Sequence, residues 1–286
     1  MTTQGVMPPD ATLRQILQWG TIQLEKGDVP DASLDAWYLL EHVTGLTRAD
    51  YFLRQDEVCS EVCCSRFAEV IRKRADRIPL QHIIGVQEFM GLPFRVSEHV
   101  LIPRQDTECL VELVIPIVEG NRVLDLCTGS GCIGISLAKL GKPVIVHGVD
   151  ISEEALSVAR ENADVLQAEI TFWQSDLFEN VTEIYDVIVS NPPYIPPDVI
   201  ESLMPEVKMH EPRMALYGGM DGLDFYRRIA TEAEKVFGNE GSIFLEIGCE
   251  QGDDVKNIFT LAGYHNVQIH QDLTGKDRVV QAYYCR

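Results

Sequence analysis

Residues 191–194 read Asn-Pro-Pro-Tyr, and their types suit one kind of chemistry. A proline fixes φ and has no N–H, so this stretch offers backbone acceptors and few donors. The carbonyl of Pro192 and the side-chain oxygen of Asn191 can both point at one planar NH2 group. Tyr194 can pack against the flat face of that group. The nitrogen of an amide or arylamine is a poor nucleophile because its lone pair is delocalised. Acceptors on both N–H bonds polarise it and aim it at an electrophilic carbon, so catalysis rests on positioning and electrostatics. No general base is obvious; His210, the nearest histidine, reads as a lone surface residue. By itself the four-residue motif is also a common rigid turn. Its position says more: it directly follows YDVIVS, a buried-strand pattern, 62 residues after Gly129. Ligands of open α/β sheets sit beyond the carboxyl ends of such strands.

The electrophile has its own candidate loop. VLDLCTGSGCIGISLA, Val123 to Ala138, reads as strand, glycine-rich turn and helix. Gly129 and Gly131 let the backbone bend and approach a ligand, and the following helix start offers free N–H groups. Gly129, Gly131 and Gly134 also satisfy GxGxxG, and Asp150 falls 19 residues after Gly131, where a dinucleotide's ribose would be held. A nicotinamide-dependent dehydrogenase is therefore one reading. Asp125 points elsewhere: a carboxylate just before the glycines repels a pyrophosphate and attracts a cationic amino-acid group. S-adenosylmethionine carries an ammonium and a sulfonium and no phosphate. Asp150 then accepts from both ribose hydroxyls, and Asp176 and Leu177 edge the adenine. Each aspartate also reads as a helix cap.

These loops need a scaffold, and the pattern supplies one. From about residue 110, strand candidates Arg122–Leu126, Val144–Val149, Ile170–Trp173, Asp186–Ser190 and Ile243–Ile247 alternate with helical segments Cys132–Leu140, Glu153–Asn162 and Leu223–Phe237. Such alternation predicts a doubly wound, mostly parallel α/β sheet. Val267–His270 and Arg278–Tyr284, with a turn at Thr274–Asp277, read as a hairpin, so the last strand is expected to be antiparallel. The first 80 residues read as helices. Asp10 is expected to cap one with Leu13, Ile16, Leu17, Gly20 and Leu24 inside. Asp31 caps a second with Leu34, Trp37, Tyr38, Leu40 and Val43 inside, and a third spans about Ser60 to Arg77. The cations of RKRADR at its end suit the helix dipole or a partner-binding patch. A hairpin turning at Gly91 is expected over about 82–96. The predicted division is residues 1–80, 81–109 and 110–286.

Composition narrows the function. With 24 Lys and Arg against 44 Asp and Glu, the 286-residue chain has a formal charge of −20, a poor footprint for sequence-independent nucleic-acid binding. The longest clean apolar stretches, such as Val-Ile-Pro-Ile-Val at 114–118, are far short of a membrane span. MTTQGVMPPD shows neither a signal core nor a transit pattern, so a cytoplasmic protein is expected. None of the eight cysteines forms a CxxC pair, so no metal site is expected, and the thiols read as reduced and mostly buried.

At these residues the chain resembles the release-factor glutamine methyltransferases, also called HemK-type protein-(glutamine-N5) methyltransferases. The resemblance covers nearly the whole chain: QHIIGVQEFMGLPFRV, VLIPRQDTECLVE, DLCTGSGCIGISLA, VDISEEALSVARENA, IVSNPPYI, HEPRMALYGGMDGLDFYRRI and DLTGKDRVV. It implies a class I, Rossmann-like methyltransferase sheet with an antiparallel last strand, a small all-α N-terminal substrate-recognition domain and a β-hairpin linker. It implies S-adenosylmethionine as methyl donor and, as substrate, the glutamine of the Gly-Gly-Gln motif of peptide chain release factors. Carried over by motif, Asn191, Pro192 and Pro193 hold the glutamine amide and Tyr194 lines its pocket. Cys127, Thr128, Gly129, Ser130, Gly131, Asp150, Asp176, Leu177 and Asn191 contact the cofactor. The loop Pro103–Glu108 borders the pocket, with Arg104 either facing substrate or pairing with Glu108 or a carbonyl. Three positions depart from the family pattern: Cys127 stands where glycine is usual, PRQDT replaces PRPET, and Leu177 stands where some members carry an aromatic. NPPY alone also fits an N-methyltransferase acting on adenine or guanine in nucleic acid. Residues 81–286 argue against a duplex substrate, with 15 cations against 32 anions, a net −17. A catalytically silent binding module would not need an intact NPPY. A monomer is expected.

Overall fold

The computed structural model describes Met7 and residues 10–286. Most of the N-terminal stretch read above for a signal therefore lies outside the described residues. The chain divides into two compact units, one holding residues up to Gly85 together with Pro205–His210, the other Val86–Met204 and Glu211–Arg286.

The first unit is helical: α1 (Leu13–Lys26), α2 (Ala32–Thr44), α3 (Arg48–Arg54), α4 (Glu61–Ala75) and α5 (Leu80–Ile84), joined by a later segment. α1 starts with a capping box of Thr12 and Gln15. Asp10 does not cap it and sits at φ +54°; Thr12 is closer to the first turn and its hydroxyl reaches the N3 amide. α2 turns Ala36, Trp37, Leu39 and Leu40 inward, leaving Leu34 and Tyr38 exposed where burial was expected. The Asp31 side chain makes no capping bond. The short helix α3 was not expected; Thr47 and Asp50 close a second capping box there. α4 ends at Ala75 rather than Arg77.

The RKRADR cations serve neither as a simple dipole complement nor only as a surface patch. Arg74 is buried and donates to Asp35 at 2.7 Å and to Glu206 at 2.8 Å, and Arg77 meets Glu206 at 2.6 Å. Burial opposes the charge on Glu206, yet hydrogen bonds from Arg77 and Arg74 outweigh it and hold the carboxyl at about 2. Removing one member of such a cluster leaves a buried charge unpaired, which costs about 3–5 kcal/mol.

The second unit opens with strands β1 (Val86–Phe89) and β2 (Leu92–Arg95), joined by Met90 and Gly91, both at positive φ. That is a two-residue turn of the twist hairpins prefer. The hairpin is shorter than expected because residues 80–84 are helical. α6 (Gln105–Val114) follows, so the expected loop Pro103–Glu108 is mostly a helix start. Then come β3 (Arg122–Leu126), α7 (Cys132–Leu140), β4 (Ile145–Asp150), α8 (Glu153–Leu166), β5 (Thr171–Gln174) and β6 (Tyr185–Ser190). The short helices α9 (Pro197–Ser202), α10 (Pro205–His210) and α11 (Arg213–Leu216) lead to α12 (Asp224–Glu232), of which α10 belongs to the helical unit. β7 (Phe237–Glu246), α13 (Gly252–Leu261), β8 (His265–Gln271) and β9 (Asp277–Cys285) complete the chain. The strand expected at Ile243 starts six residues earlier, after a single 3-10 turn that shortens α12.

The seven-stranded sheet runs β5-β4-β3-β6-β7-β9-β8. β3 to β7 pair in parallel, and β9 is antiparallel to both β7 and β8. Strands β3, β4 and β6 and the last four residues of β7 are almost wholly buried, as parallel strands covered on both faces must be. Tyr185, Tyr226, Phe244 and Phe259 fill the core with under 2% of their surface exposed; each buried large apolar side chain contributes about 1.5–3 kcal/mol. The strand order reverses between β4-β3 and β6-β7, which opens a crevice at their carboxyl ends. Asp125, Asp150, Ser190 and Glu246 all stand at those ends.

Candidate active site

A cleft in the sheet unit brings most of the expected residues together. Arg104, Cys127, Thr128, Gly129, Ser130, Asp150, Asp176, Leu177, Asn191 and Pro193 line it. Gly131, Pro192 and Tyr194 are not among its lining residues: Gly131 caps α7, Pro192 is buried between Asn191 and Pro193, which do line it, and Tyr194 turns towards Glu246. From the expected loop 103–108, Pro103 and Thr107 also face the cleft, and the sequence reasoning missed His99, Leu101, Met214 and Phe225, which line it too. Phe225 had a faint signal, since it neighbours Tyr226 on α12 and two adjacent aromatics of a helix cannot face the same way.

The glycine turn is held from below. Asp125 is completely buried, and its Oδ2 accepts from Thr128 Oγ1 at 2.6 Å and from the Gly134 amide at 2.9 Å. It does not face the cleft, so it braces the turn and is not a direct partner for a cationic ligand. Burial pushes its carboxyl up to about 7, against the pull of those two donors. Gly129 donates its N–H to Asp150 Oδ2 at 2.9 Å, and Gly131 donates to the Thr128 carbonyl at 2.8 Å. Three of the turn's amides, those of Thr128, Gly129 and Gly131, are thus spent inside the protein and not on a phosphate. Asp150 also accepts from the Ser152 amide at 2.9 Å, and burial raises its carboxyl above the usual range. Its oxygens keep spare lone pairs towards the cleft. Arg228 pairs with Asp176 at 2.9 Å and Arg104 with Glu211 at 2.5 Å. Arg104 therefore takes Glu211 and not Glu108, whose carboxylate caps the Met90 amide. With both arginines paired and Asp150 at the centre, the cleft suits an adenosyl group with a cationic tail and no phosphate.

Cys127 sits at φ +54° and Leu177 at +49°, the left-handed region that a Cβ disfavours. This is a physical reason for glycine to be usual at position 127. The thiol is packed into the turn, and burial pushes its pKa far up, so it is no nucleophile. Of the eight free cysteines only Cys132 is buried; five are half-buried and Cys249 and Cys285 are exposed, where mostly buried thiols were expected.

Asn191 Nδ2 lies 3.3 Å from Thr107 Oγ1, which leaves its Oδ1 free for the cleft. Tyr194 turns its hydroxyl inward, 3.4 Å from Glu246 Oε1, and burial raises its pKa. The backbone of the loop rests on the segment downstream. The Ile195 amide donates to the Leu216 carbonyl at 2.9 Å, and the Gly218 amide donates to the Ile195 carbonyl at 3.1 Å. Gln251 Nε2 donates to the Tyr194 carbonyl at 3.1 Å. A Cβ on Gly218 would fall 2.5 Å from Tyr194 Cα, so only glycine permits this approach. The YGGMDG stretch is thus the bed of NPPY. His210 belongs to the helical unit and does not line the cleft.

The chain is similar to known proteins over most of its length. Residues 15–85 match the family described as PrmC N-terminal domain, and residues 105–204 the methyltransferase small domain. The chain is 40% identical over 271 residues to the release factor glutamine methyltransferase of Geobacter sulfurreducens, covering 94% of this chain and 95% of that one. It is 42% identical over 254 residues to the protein of the same name from Bacillus cereus, covering 85% and 90%. A crystal structure of a methyltransferase from Pyrococcus furiosus superposes with a TM-score of 0.54 at 18% identity, over 77% of this chain and 98% of that one, a likeness of fold alone. The fold is the class I methyltransferase sheet with a helical N-terminal region, and the chain belongs to the release factor glutamine methyltransferase family.

Proposed function

We propose that this enzyme methylates the side-chain amide nitrogen of the glutamine in the Gly-Gly-Gln motif of peptide chain release factors. The observation that carries the reading is Asn191 beside Thr107, with its Oδ1 left towards the cleft directly beyond the strand that ends at Ser190. Asn191 Oδ1 and the Pro192 carbonyl accept the two N–H bonds of the substrate amide. This pulls electron density towards the nitrogen and fixes its direction. Asn191, Pro192, Pro193, Tyr194 and Arg104 form the substrate side. Tyr194, buried against Glu246, sets the shape of the loop from behind.

Cys127, Thr128, Gly129, Ser130, Asp150, Asp176, Leu177 and Asn191 form the cofactor side, with Gly131 starting α7 behind the turn. S-adenosylmethionine, when bound there, supplies a methyl group activated by its sulfonium. Asp150 accepts from the ribose hydroxyls, and Asp176 and Leu177 border the base. The proton of the amide leaves to solvent after transfer. Residues 1–80 act as the substrate-recognition domain, 81–109 as a hairpin linker and 110–286 as the catalytic domain. Among the described residues no helix is long and apolar enough to cross a membrane; a cytoplasmic monomer meeting a soluble protein substrate fits the reading. The acidic chain suits a basic partner surface, so the transfer rate at low substrate is expected to fall with rising salt.

The test is transfer of a labelled methyl group from S-adenosylmethionine to a purified release factor, beside its Gly-Gly-Glu variant and a DNA and RNA mixture. Label on the unmodified factor alone is expected. Label on nucleic acid with the factor blank would keep the NH2-binding reading of NPPY and overturn the substrate.

A further inference from the structure

Glu211 is a buried acid beside the acceptor half of the cleft, and the reaction leaves it without a task. It stands between α10 and α11, directly before Pro212. Its side chain is 1% exposed. Oε1 accepts from Arg104 Nη2 at 2.5 Å, and Oε2 has no partner. Arg104 is the opposite kind of partner. Its side chain is 40% exposed and lines the cleft, which Glu211 does not. The bond to Glu211 is the one hydrogen bond its guanidinium makes among the described residues.

So lopsided a pair is a poor way to stabilise a fold. Taking a carboxylate out of water is expensive, and one bond from a half-exposed arginine, with the other oxygen left unpaired, repays it badly. What the pair does to the charge of the cleft explains it better. Arg104 stands three residues before Thr107, whose Oγ1 lies 3.3 Å from Asn191 Nδ2. The guanidinium therefore belongs to the acceptor half. An arginine there without a counter-charge would attract any carboxylate that enters. Glutamate has the shape of glutamine, but its carboxylate has no nitrogen to methylate, so it would only block the site. Glu211 cancels the arginine's charge from a position no ligand reaches. The pair then still offers N–H donors to the cleft, but no net charge. That suits the neutral carbonyl oxygens of an amide and of a peptide main chain.

We propose that Glu211 is a specificity-determining residue: by neutralising Arg104 it makes the acceptor half select the neutral amide of glutamine over the carboxylate of glutamate. The proposal rests on the reading of that half of the cleft as the site of a glutamine side chain. Selection of this kind works by removing an attraction to the wrong ligand, not only by building one to the right ligand.

The experiment compares the wild type with Glu211→Gln, which keeps an oxygen for Arg104 and removes the charge, and with the double variant Arg104→Met, Glu211→Gln. For each, KM is measured for methyl transfer to a release factor, and Ki for the Gly-Gly-Glu variant of that factor as a competitive inhibitor. S-adenosylhomocysteine affinity is measured in parallel. The ratio Ki/KM reports the side chain alone, because every other contact of the factor is shared. In Glu211→Gln the ratio is expected to fall about 10-fold or more, since an uncovered arginine now meets the carboxylate. Adding Arg104→Met is expected to return it to within about threefold of the wild type. A merely structural role would weaken both factors alike, so an unchanged ratio in Glu211→Gln overturns the proposal. A fall that persists in the double variant overturns it as well. A gain in S-adenosylhomocysteine affinity without a change of ratio would assign the guanidinium to the cofactor's carboxylate and also overturns it. Should Glu211→Gln fail to fold, Arg104→Met alone leaves the opposite charge uncovered and is expected to raise the ratio about 10-fold; an unchanged ratio there counts equally against the proposal. A wild type that transfers nothing to the release factor overturns the underlying reading instead.

Discussion

Two buried carboxyls stand under the two halves of the cleft and are held in opposite ways. Asp125 lies under the cofactor half and grips the glycine turn with two short bonds, to Thr128 Oγ1 and the Gly134 amide. Glu246 lies under the acceptor half with one long bond, to Tyr194; each carboxyl has one oxygen without a partner, Asp125 Oδ1 and Glu246 Oε2. Burial raises both to about 7. Their burial is alike, so the difference lies in what they hold. Asp125 fixes backbone that must not move. Glu246 meets a side chain, the Tyr194 hydroxyl, at the end of the acceptor loop. A rigid floor suits a cofactor bound the same way each turnover, and a looser one suits a protein substrate that must enter and leave.

Breaking the firm side gives the largest effect. Asp125→Ala leaves the Thr128 hydroxyl and the Gly134 amide unpaired in a buried place. At about 1–3 kcal/mol for each of the two orphaned groups, unfolding in urea is expected to show a loss of about 2–6 kcal/mol, with weakened cofactor binding. A loss under 0.5 kcal/mol would mean that the turn holds itself.

A subtler change separates charge from shape. Both carboxyls have folded pKa values near 7, above those of an unfolded chain. The folded state therefore binds more protons between about pH 4 and 7, and this contribution to stability falls as pH rises through 7. Asp125→Asn keeps an oxygen for both donors and removes one titration. Its stability is expected to fall less between pH 5 and 8 than the wild type's. An unchanged slope would show that Asp125 titrates normally. Glu206, held at about 2, works in the other direction, contributing above about pH 4.5 and losing its contribution as pH falls towards 2.

The smallest effect is expected at Cys127. Its φ of +54° strains a residue with a Cβ, and Cys127→Gly exchanges that strain for a more flexible unfolded chain, two terms of about 1 kcal/mol each. The melting temperature is expected to shift by only a few degrees, with cofactor affinity equal or better. A large loss of affinity would give the thiol a role in binding that the geometry does not provide.

How far these features could be read from the sequence follows their physics. Strands β3 to β7 are short runs of apolar residues in order along the chain, so local pattern found them, and the glycine turn and NPPY announce themselves by residues with restricted backbones. The inward face of α2 was misread at Leu34 and Tyr38, because which stripe of an almost wholly apolar helix is buried depends on its neighbours. Arg74 and Arg77 looked like a helix-end charge cluster because their partner Glu206 lies about 130 residues away, and sequence spacing carries no such contact. Asp125 was found but given the wrong target, since side-chain direction at the end of a strand is not in the pattern. Glu246 was legible in principle: SIFLEIG places one acid inside an apolar strand, and such an acid is seldom idle.

The separation of a cofactor half from an acceptor half is tested most directly by Asn191→Ala, with S-adenosylhomocysteine binding and single-turnover methyl transfer to a release factor measured on the same preparation. The expected result is a transfer rate lowered by about 100-fold or more, with the cofactor dissociation constant within about threefold of the wild type. Near-normal transfer, or binding and transfer lost in equal measure, would contradict it.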